Sequence, residues 1–478
     1  MYFWFLISPL VFQTGYSYVF WSDHNIPTMK RLLITLAILV GIIGGAAWYA
    51  LPRLPIVSGY AAKMTCSCYF VAGRDLESIK QKDLNFSLVK LASVAVYDDG
   101  QYATGAVAGL AKQTAVYRPG LGCTLVPEDG SMATLQNTTY QPLPIEPANP
   151  DTIAWPMGSQ IADTLPSDID RAALDAAIQH YFDQGEEQEY NTRAVLVVQD
   201  GQLVTEHYAK GFDANTPILG WSMTKSITNA LVGIRNKQGY LPLDKPADIA
   251  AWTEDDRARI TLHNLMQMSS GLAWEEVYDD VADATKMLYQ ADDFFGYASG
   301  RPAASPPDSV WMYSSGTTNI ISGLLKQTFD DQQAYWDFPR EQLFNRIGMR
   351  SAVLEPDASG TFVGSSYCFA TPRDWARFGL LYLNDGIWQG ERILPEGWVD
   401  YSIEPARASE GQYGAQIWLN AGGTLPDVPR TMYSFNGFHG QRVFIFPGRD
   451  LIVVRMGLSA DGTFDFNAFL RDVLAQVG

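Results

Sequence analysis

Ser222 and Lys225 stand three residues apart in the stretch Gly220-Trp221-Ser222-Met223-Thr224-Lys225-Ser226. A hydroxyl and an amine at that spacing can make a nucleophile and its proton acceptor. Residues i and i+3 share one face of a helix, and residues 222–237 read as a helix. Leu231, Val232 and Ile234 are its apolar positions, and Pro217 and Gly220 break whatever precedes it. At a helix N-terminus the free N–H groups and the dipole favour an oxyanion and disfavour a protonated lysine. A lysine partly desolvated there loses its proton near neutral pH and serves as a base. Read alone, the same residues also fit a helix-capping serine and a surface lysine.

The rest of the chain separates the two readings. Tyr313-Ser314-Ser315 follows, within Trp311-Met312-Tyr313-Ser314-Ser315-Gly316-Thr317-Thr318-Asn319, and Phe438-His439-Gly440-Gln441 comes near the end, between two predicted strands. This order and spacing resembles the serine β-lactamase and penicillin-binding-protein superfamily. Within it, the chain is most similar to the class C, esterase and nylon-oligomer (6-aminohexanoate-dimer) hydrolase branch. That branch has Tyr-x-Asn or Tyr-x-Ser where class A enzymes have Ser-Asp-Asn. The segments 261–272 (Thr-Leu-His-Asn-Leu-Met-Gln-Met-Ser-Ser-Gly-Leu) and 367–377 (Tyr-Cys-Phe-Ala-Thr-Pro-Arg-Asp-Trp-Ala-Arg) agree with it. The resemblance covers the chain from about Asp168 to the C-terminus.

The resemblance implies a serine hydrolase that needs no cofactor and takes a small-molecule amide or ester. Ser222 is then the acylated nucleophile, and Lys225 is the base or holds the proton-relay geometry. Tyr313, beside a cationic lysine, is expected at a lowered pKa, passing the proton to the leaving group; the other reading is a core tyrosine with a satisfied hydroxyl. The backbone N–H groups of Ser222 and Gln441 are expected to form the oxyanion hole. Ser315 is expected to bond Lys225 or the substrate. His439 is expected to donate to the substrate or to Tyr313; the other reading is a turn histidine between strands. Phe438-His439-Gly440 replaces the Lys-Thr-Gly of true β-lactamases, so the cation that binds a substrate carboxylate is missing. That favours a substrate without the carboxylate over a β-lactam or a D-alanyl peptide. The alternative from another class is a catalytically silent binding or sensor domain on the same scaffold.

Other sites have less support. A Ser-His-Asp triad would draw on five histidines, and Ser222 sits in Gly-x-Ser-x-Thr rather than Gly-x-Ser-x-Gly. Glu275, Glu276, Asp279 and Asp280 could hold a metal or act as paired carboxylates, but such a run is more often a solvated acidic face, and that reading is favoured. The sequence has no Cys-x-x-Cys or His-x-x-x-His pair, so no metal site is expected. A net charge of −18 argues against a nucleic-acid partner.

The 478 residues predict two to three domains, with 47% hydrophobic residues for a large core. Lys30-Arg31 precedes an uncharged apolar run over 32–51, long enough to cross a bilayer. Positive charge before it predicts a cytoplasmic N-side and an exported remainder. An uncleaved, single-pass inner-membrane anchor with a periplasmic catalytic domain is expected. Small residues at Gly45 and Ala47 leave cleavage after Ala47 as the alternative. Met29 is a natural start; residues 1–28 then belong to an over-extended reading frame. If they are translated, residues 1–21 are apolar enough to span, and a hairpin still sends the rest outside. Export permits disulfides, and Cys66 and Cys68 are each candidates to bridge Cys123.

Four segments follow from this: an anchor region over 1–51, a small β-containing unit over 52–140, a proline-rich linker over 141–166 and the hydrolase domain over 167–478. The small unit holds a hairpin (87–97, 101–117) around Asp98-Asp99-Gly100. In the hydrolase domain a helix over 168–183 precedes a second hairpin, 192–199 and 202–208, around Asp200-Gly201. Strands are expected over 413–419, 431–435, 442–446 and 451–456, then a closing helix over 464–476. Strands at both ends with helices between them predict an α+β domain: an antiparallel sheet flanked by helices, with a mostly helical insert. The acidic, aromatic stretch 272–307 is expected to form a lid or wall.

Overall fold

A computed structural model describes residues 28–128, 130–162, 169–183, 190–460 and 462–477. The apolar stretch 1–21 and the expected domain start at Ser167 lie outside the described residues. The chain divides into two units, Met1–Leu51 and Pro52–Gly478. The first contains helix α1 (Thr28–Ala50). Its Leu32–Ala50 stretch has 19 residues with a mean hydropathy of 2.2. At 1.5 Å per residue it is about 28 Å long, close to the ~30 Å hydrocarbon core of a bilayer. A signal sequence has the same character.

The second unit opens with helix α2 (Leu54–Cys66), buried from Val57 onward. It lies on a four-stranded antiparallel sheet in sequence order: β1 (Ala92–Tyr97), β2 (Tyr102–Val107), β3 (Leu110–Arg118) and β4 (Gly122–Leu125). The approach is close. A Cβ on Gly105 would sit 2.6 Å from the Ser58 carbonyl oxygen. The expected second arm of the hairpin is broken in two at Ala108-Gly109, both with positive φ. A disulfide joins Cys66 at the end of α2 to Cys123 in β4; Cys68 is a free, buried thiol.

The larger part runs through helix α3 (Arg171–Gln179), strands β5 (Thr192–Gln199) and β6 (Gln202–Tyr208), helix α4 (Thr224–Lys237), helix α5 (Ser315–Lys326), helix α6 (Pro372–Leu383), strands β7 (Trp418–Leu419), β8 (Tyr433–Gly437), β9 (Gln441–Phe446) and β10 (Leu451–Gly457), and helix α7 (Phe466–Leu474). Its six strands order β7-β8-β9-β10-β5-β6, so β10 and β5 pair and the two ends of the domain share one antiparallel sheet. The helices between β6 and β7 form the insert. Asp200 and Gly201 both have positive φ, as a two-residue hairpin turn requires.

β5 shows how the layers form. Successive side chains point to opposite faces. Val195 and Val197 join the core under α3 and α7, with Leu174, Ile178, Phe469 and Val473. Ala194, Leu196 and Val198 join the core on the other side, with Phe378 and Leu381 of α6. A strand covered on both faces is apolar throughout. The expected strand over 413–419 shrinks to two residues because its backbone bonds elsewhere: Ala415 N–H donates to Ser402 O and Gln416 N–H to Met266 O.

Buried charge fixes the N-terminal part to the rest. Lys63 of α2 pairs with Glu355, both almost fully buried. Glu355 also accepts from Ser67 Oγ at 2.8 Å and from Cys123 N–H at 2.7 Å, and Lys63 Nζ lies 4.1 Å from the centre of the Tyr367 ring. Nearby, Asp83 is held between Arg74 and Arg193, which keep its carboxylate ionised below the usual range despite burial. Removing one member of a buried pair strands the other charge, at about 3–5 kcal/mol. Lys63→Met is therefore expected to lower unfolding free energy by about that much, read by denaturant titration. Lys63→Met combined with Glu355→Gln removes both charges and should recover part of the loss. Equal stability of wild type and single variant would show that the pair does not hold the two parts together.

Candidate active site

Ser222 sits just ahead of its helix. Trp221–Met223 forms a single 3-10 turn and α4 starts at Thr224, so the helix begins two residues later than the sequence reading expects. Ser222 is therefore no helix cap; Met223 occupies that position and makes no side-chain cap bond. Trp221 is buried with φ +49°, a conformation that costs a non-glycine residue about 1–3 kcal/mol and clusters at functional sites. The Ser222 side chain remains half-buried, hence reachable, while Lys225 is 1% exposed.

Lys225 Nζ donates to Ser222 Oγ at 2.9 Å, to Ser315 Oγ at 3.0 Å and to the Ser365 carbonyl at 3.1 Å. Its three acceptors are all uncharged. Burial pulls its pKa from 10.5 to about 8, with the charge of Glu276 acting in the opposite direction. The i, i+3 relation does bring the hydroxyl and the amine together.

Tyr313 enters from the turn before α5. Lys225 Nζ lies 4.7 Å from its ring centre, and its hydroxyl meets the Ser222 side chain. The ring packs on Tyr413 and Trp418. The lowered pKa expected of it is not found. Burial, then the charge of Glu276, raise it well above the ordinary phenol value, outweighing the Ser222 hydrogen bond and the charge of Arg442. Ser314 caps α5 through Thr317 N–H, which frees Ser315 to face Lys225.

Glu276 is the residue the sequence reading placed wrongly. Glu275, Asp279 and Asp280 are exposed, as a solvated run should be, but Glu276 turns inward. It accepts from Ser315 N–H at 2.8 Å, from Ser315 Oγ, from the Trp274 indole and from the Tyr278 hydroxyl. Its signal was the alternation Trp274-x-Glu276-x-Tyr278, which puts three side chains on one side of an extended backbone. Ser365, whose carbonyl takes the third Lys225 proton, carried no signal.

The third station is the turn between β8 and β9. His439 has φ +59° and stacks on Phe438, with Phe86 and Trp221 against its edges. Burial pulls its pKa down to about 3, so the ring is neutral. Among the described residues Nδ1 has no hydrogen-bond partner, and no hydrogen bond joins His439 to Tyr313. Gln441 heads β9 opposite Gly437; its side chain exchanges hydrogen bonds with Gly457 of β10 and so fixes the strand end. Arg442 supplies a charge nearby, but its guanidinium is bonded to the Gly437 and Gln441 carbonyls. A cleft of about 530 Å³ opens beside Trp221, Glu276, Tyr278, Phe438 and His439.

The Beta-lactamase family model matches residues 174–475. The chain belongs to the Beta-lactamase family. Its members are serine hydrolases of amide and ester bonds, and this chain is a hydrolase of that fold. The 6-aminohexanoate-dimer hydrolase of Paenarthrobacter ureafaciens is 21% identical over 295 residues, 55% of this chain and 72% of that protein. A Bacillus anthracis protein assigned as a 6-aminohexanoate-dimer hydrolase superposes with a TM-score of 0.54 at 22% identity, covering 68% of this chain and 87% of its own. A family VIII carboxylesterase superposes with a TM-score of 0.52 at 14% identity, covering 66% and 99%. At these identities the superpositions show a shared Beta-lactamase-type fold.

One close approach joins the first and third stations. A Cβ on Gly437 would lie 2.0 Å from the Gly220 carbonyl oxygen, and one on Gly220 would lie 2.2 Å from the Trp375 ring. The β8–β9 turn thus meets the Ser222 turn backbone to backbone. Gly437→Ala must push them apart. It is expected to cost about 1–3 kcal/mol by overpacking, seen as a lower thermal midpoint; an unchanged midpoint would mean the contact is not close.

Proposed function

We propose that this chain is an exported, membrane-anchored serine hydrolase that cleaves an amide or ester through an acyl-enzyme on Ser222. The observation that carries the reading is the position of Lys225 Nζ, buried and shared between Ser222 Oγ at 2.9 Å and Ser315 Oγ at 3.0 Å. A lysine with a pKa of about 8 has a usable neutral fraction at neutral pH. In that form it takes the Ser222 proton as Oγ attacks the substrate carbonyl. Positioned general-base transfer of this kind is worth about 10²–10⁴-fold in rate. The backbone N–H groups of Ser222 and Gln441 bind the oxyanion of the tetrahedral intermediate. Tyr313, kept protonated by its raised pKa, hands its proton to the leaving amine or alkoxide and regains one from the Lys225 ammonium. Water then repeats the sequence on the acyl-enzyme. Ser315 holds the amine in line.

Phe438 stands where a carboxylate-binding lysine would otherwise be, which supports a substrate lacking that carboxylate. The relatives named as a 6-aminohexanoate-dimer hydrolase and a family VIII carboxylesterase fit the same class. Export is supported by Lys30-Arg31 ahead of the α1 apolar run and by the Cys66–Cys123 disulfide, which suits an oxidising compartment.

A fluorophosphonate probe should label the wild type in the membrane fraction, label a chain starting at Pro52 in the soluble fraction, and leave Ser222→Ala unlabelled. Lys225→Ala should stay folded and lose at least about 100-fold in turnover of p-nitrophenyl acetate. Labelling of Ser222→Ala at the wild-type level would end the proposal.

The pH profile tests the base. With Lys225 as the proton acceptor, kcat/KM should rise with pH through about 8. The negative charge of Glu276 raises the Lys225 pKa, so Glu276→Gln should move that rise to lower pH. A shift to higher pH would exclude Lys225 as the titrating base.

A further inference from the structure

The family match starts at residue 174, yet Ile56, Val57, Tyr60, Phe86, Leu88 and Val89 line the cleft that Trp221, the residue before Ser222, borders. They belong to α2 and to the segment ahead of β1. The facing wall is Trp221, Val277, Tyr278 and Phe438. Both walls are mostly aliphatic and aromatic, with Arg53, Ser87 and His439 as further polar lining. The acidic groups are spent or peripheral: Asp279 and Asp280 are exposed, Asp280 is paired with Arg53, and Glu276 is taken up by Ser315, Trp274 and Tyr278. Apolar residues also crowd the mouth, with Leu88 39% and Val277 41% exposed.

The slot is coupled to the reacting centre through two residues. Trp221 immediately precedes Ser222. Tyr278 presents its hydroxyl to Ser315, at 3.2 Å, while its ring stacks on Phe438 with centres 5.1 Å apart. The N-terminal wall is also held in place before any ligand arrives, by the Cys66–Cys123 disulfide and the Lys63–Glu355 pair. A mostly apolar slot of about 530 Å³ is within the ~300–1,000 Å³ of small-molecule sites, and a wall already held in place lowers the cost of filling it.

We propose that this slot is an acyl-chain pocket, built jointly by the N-terminal part and the hydrolase domain. The substrate class is then an ester or amide of a medium-to-long apolar acyl group, whose chain lies against Ile56, Tyr60, Phe86 and Leu88 once its carbonyl reaches Ser222. This rests on the acyl-enzyme reading above.

The full chain is assayed in detergent below micellar substrate concentrations with p-nitrophenyl esters from acetate to decanoate, and with the matching p-nitroanilides. Burial of each methylene is worth up to about fourfold, so kcat/KM for octanoate should exceed acetate by at least about tenfold. Ile56→Trp, which fills the slot, and Leu88→Asp, which makes its mouth polar, should each lower the octanoate-to-acetate ratio by about tenfold. Circular dichroism and the thermal midpoint confirm that the variants fold. If a parallel sample takes the fluorophosphonate label but the unlabelled enzyme's rates are flat with chain length, or its octanoate-to-acetate ratio is moved by neither folded variant, the pocket is overturned and the acyl-enzyme stands. An enzyme that takes no label overturns the acyl-enzyme reading and the pocket with it.

Discussion

A lysine amine held out of water is the constraint on which the site depends. An ammonium among hydroxyls and one carbonyl, with no carboxylate bonded to it, is disfavoured relative to water. The consequence is a pKa of about 8 in place of 10.5, which corresponds to a proton held about 3 kcal/mol less tightly. The sign is unfavourable to folding below the folded-state value: the unfolded chain binds the proton better, so the cost is full below about pH 8 and fades as pH rises toward the unfolded value. The rest of the domain must supply that stability. A sheet closed between its first and last strands, apolar on both faces at β5, is the source nearest at hand.

Holding that amine requires three segments far apart in sequence to meet at one point. α4 brings Lys225, the first residue of α5 brings Ser315, and the loop before the short strand at Cys368 brings the Ser365 carbonyl. Each junction uses a different device. The Ser222 turn stores a positive φ at Trp221, α5 is started by the Ser314 cap, and the β8–β9 turn is admitted by a glycine-to-glycine contact. The N-terminal part adds a further layer, fixed by a salt bridge between residues 292 positions apart.

These devices differ in how far the sequence discloses them. Ser222, Lys225, Tyr313 and Ser315 were legible because their chemistry recurs at set spacings and in a set order. β5 and β6 were legible because Asp200-Gly201 suits only a tight hairpin turn and the flanking residues are branched or apolar. The strand expected at 413–419 was not, since whether a backbone N–H finds a neighbouring strand or a distant carbonyl is a tertiary fact. Lys63 and Glu355 looked like ordinary charges, and nothing local marks either as the partner of the other. Glu276 was hidden by its neighbours: three exposed acids beside it made the run look like a solvated face. Tyr313 meets Ser222 as expected but with the opposite electrostatics, because desolvation and the charge of Glu276 outweigh the Ser222 hydrogen bond and the charge of Arg442.

That error changes the division of labour. In the proposed mechanism one group must accept a proton and another must keep one until the leaving group needs it. Environments that push two such groups apart make the assignment. Burial lowers Lys225 and raises Tyr313, so a single physical cause sets the amine as acceptor and the phenol as donor. Glu276 acts on both in the same direction, upward. It therefore strengthens the phenol as a proton reservoir at some expense to the amine as a base. Hydrogen bonds from Ser315, Trp274 and Tyr278 spread its charge. The carboxylate also fixes Ser315, one of the three acceptors that hold the amine. Its net value to the site is thus positional first and electrostatic second: without it Lys225 would lose its proton more easily, but with a less constrained partner to hold it against Ser222.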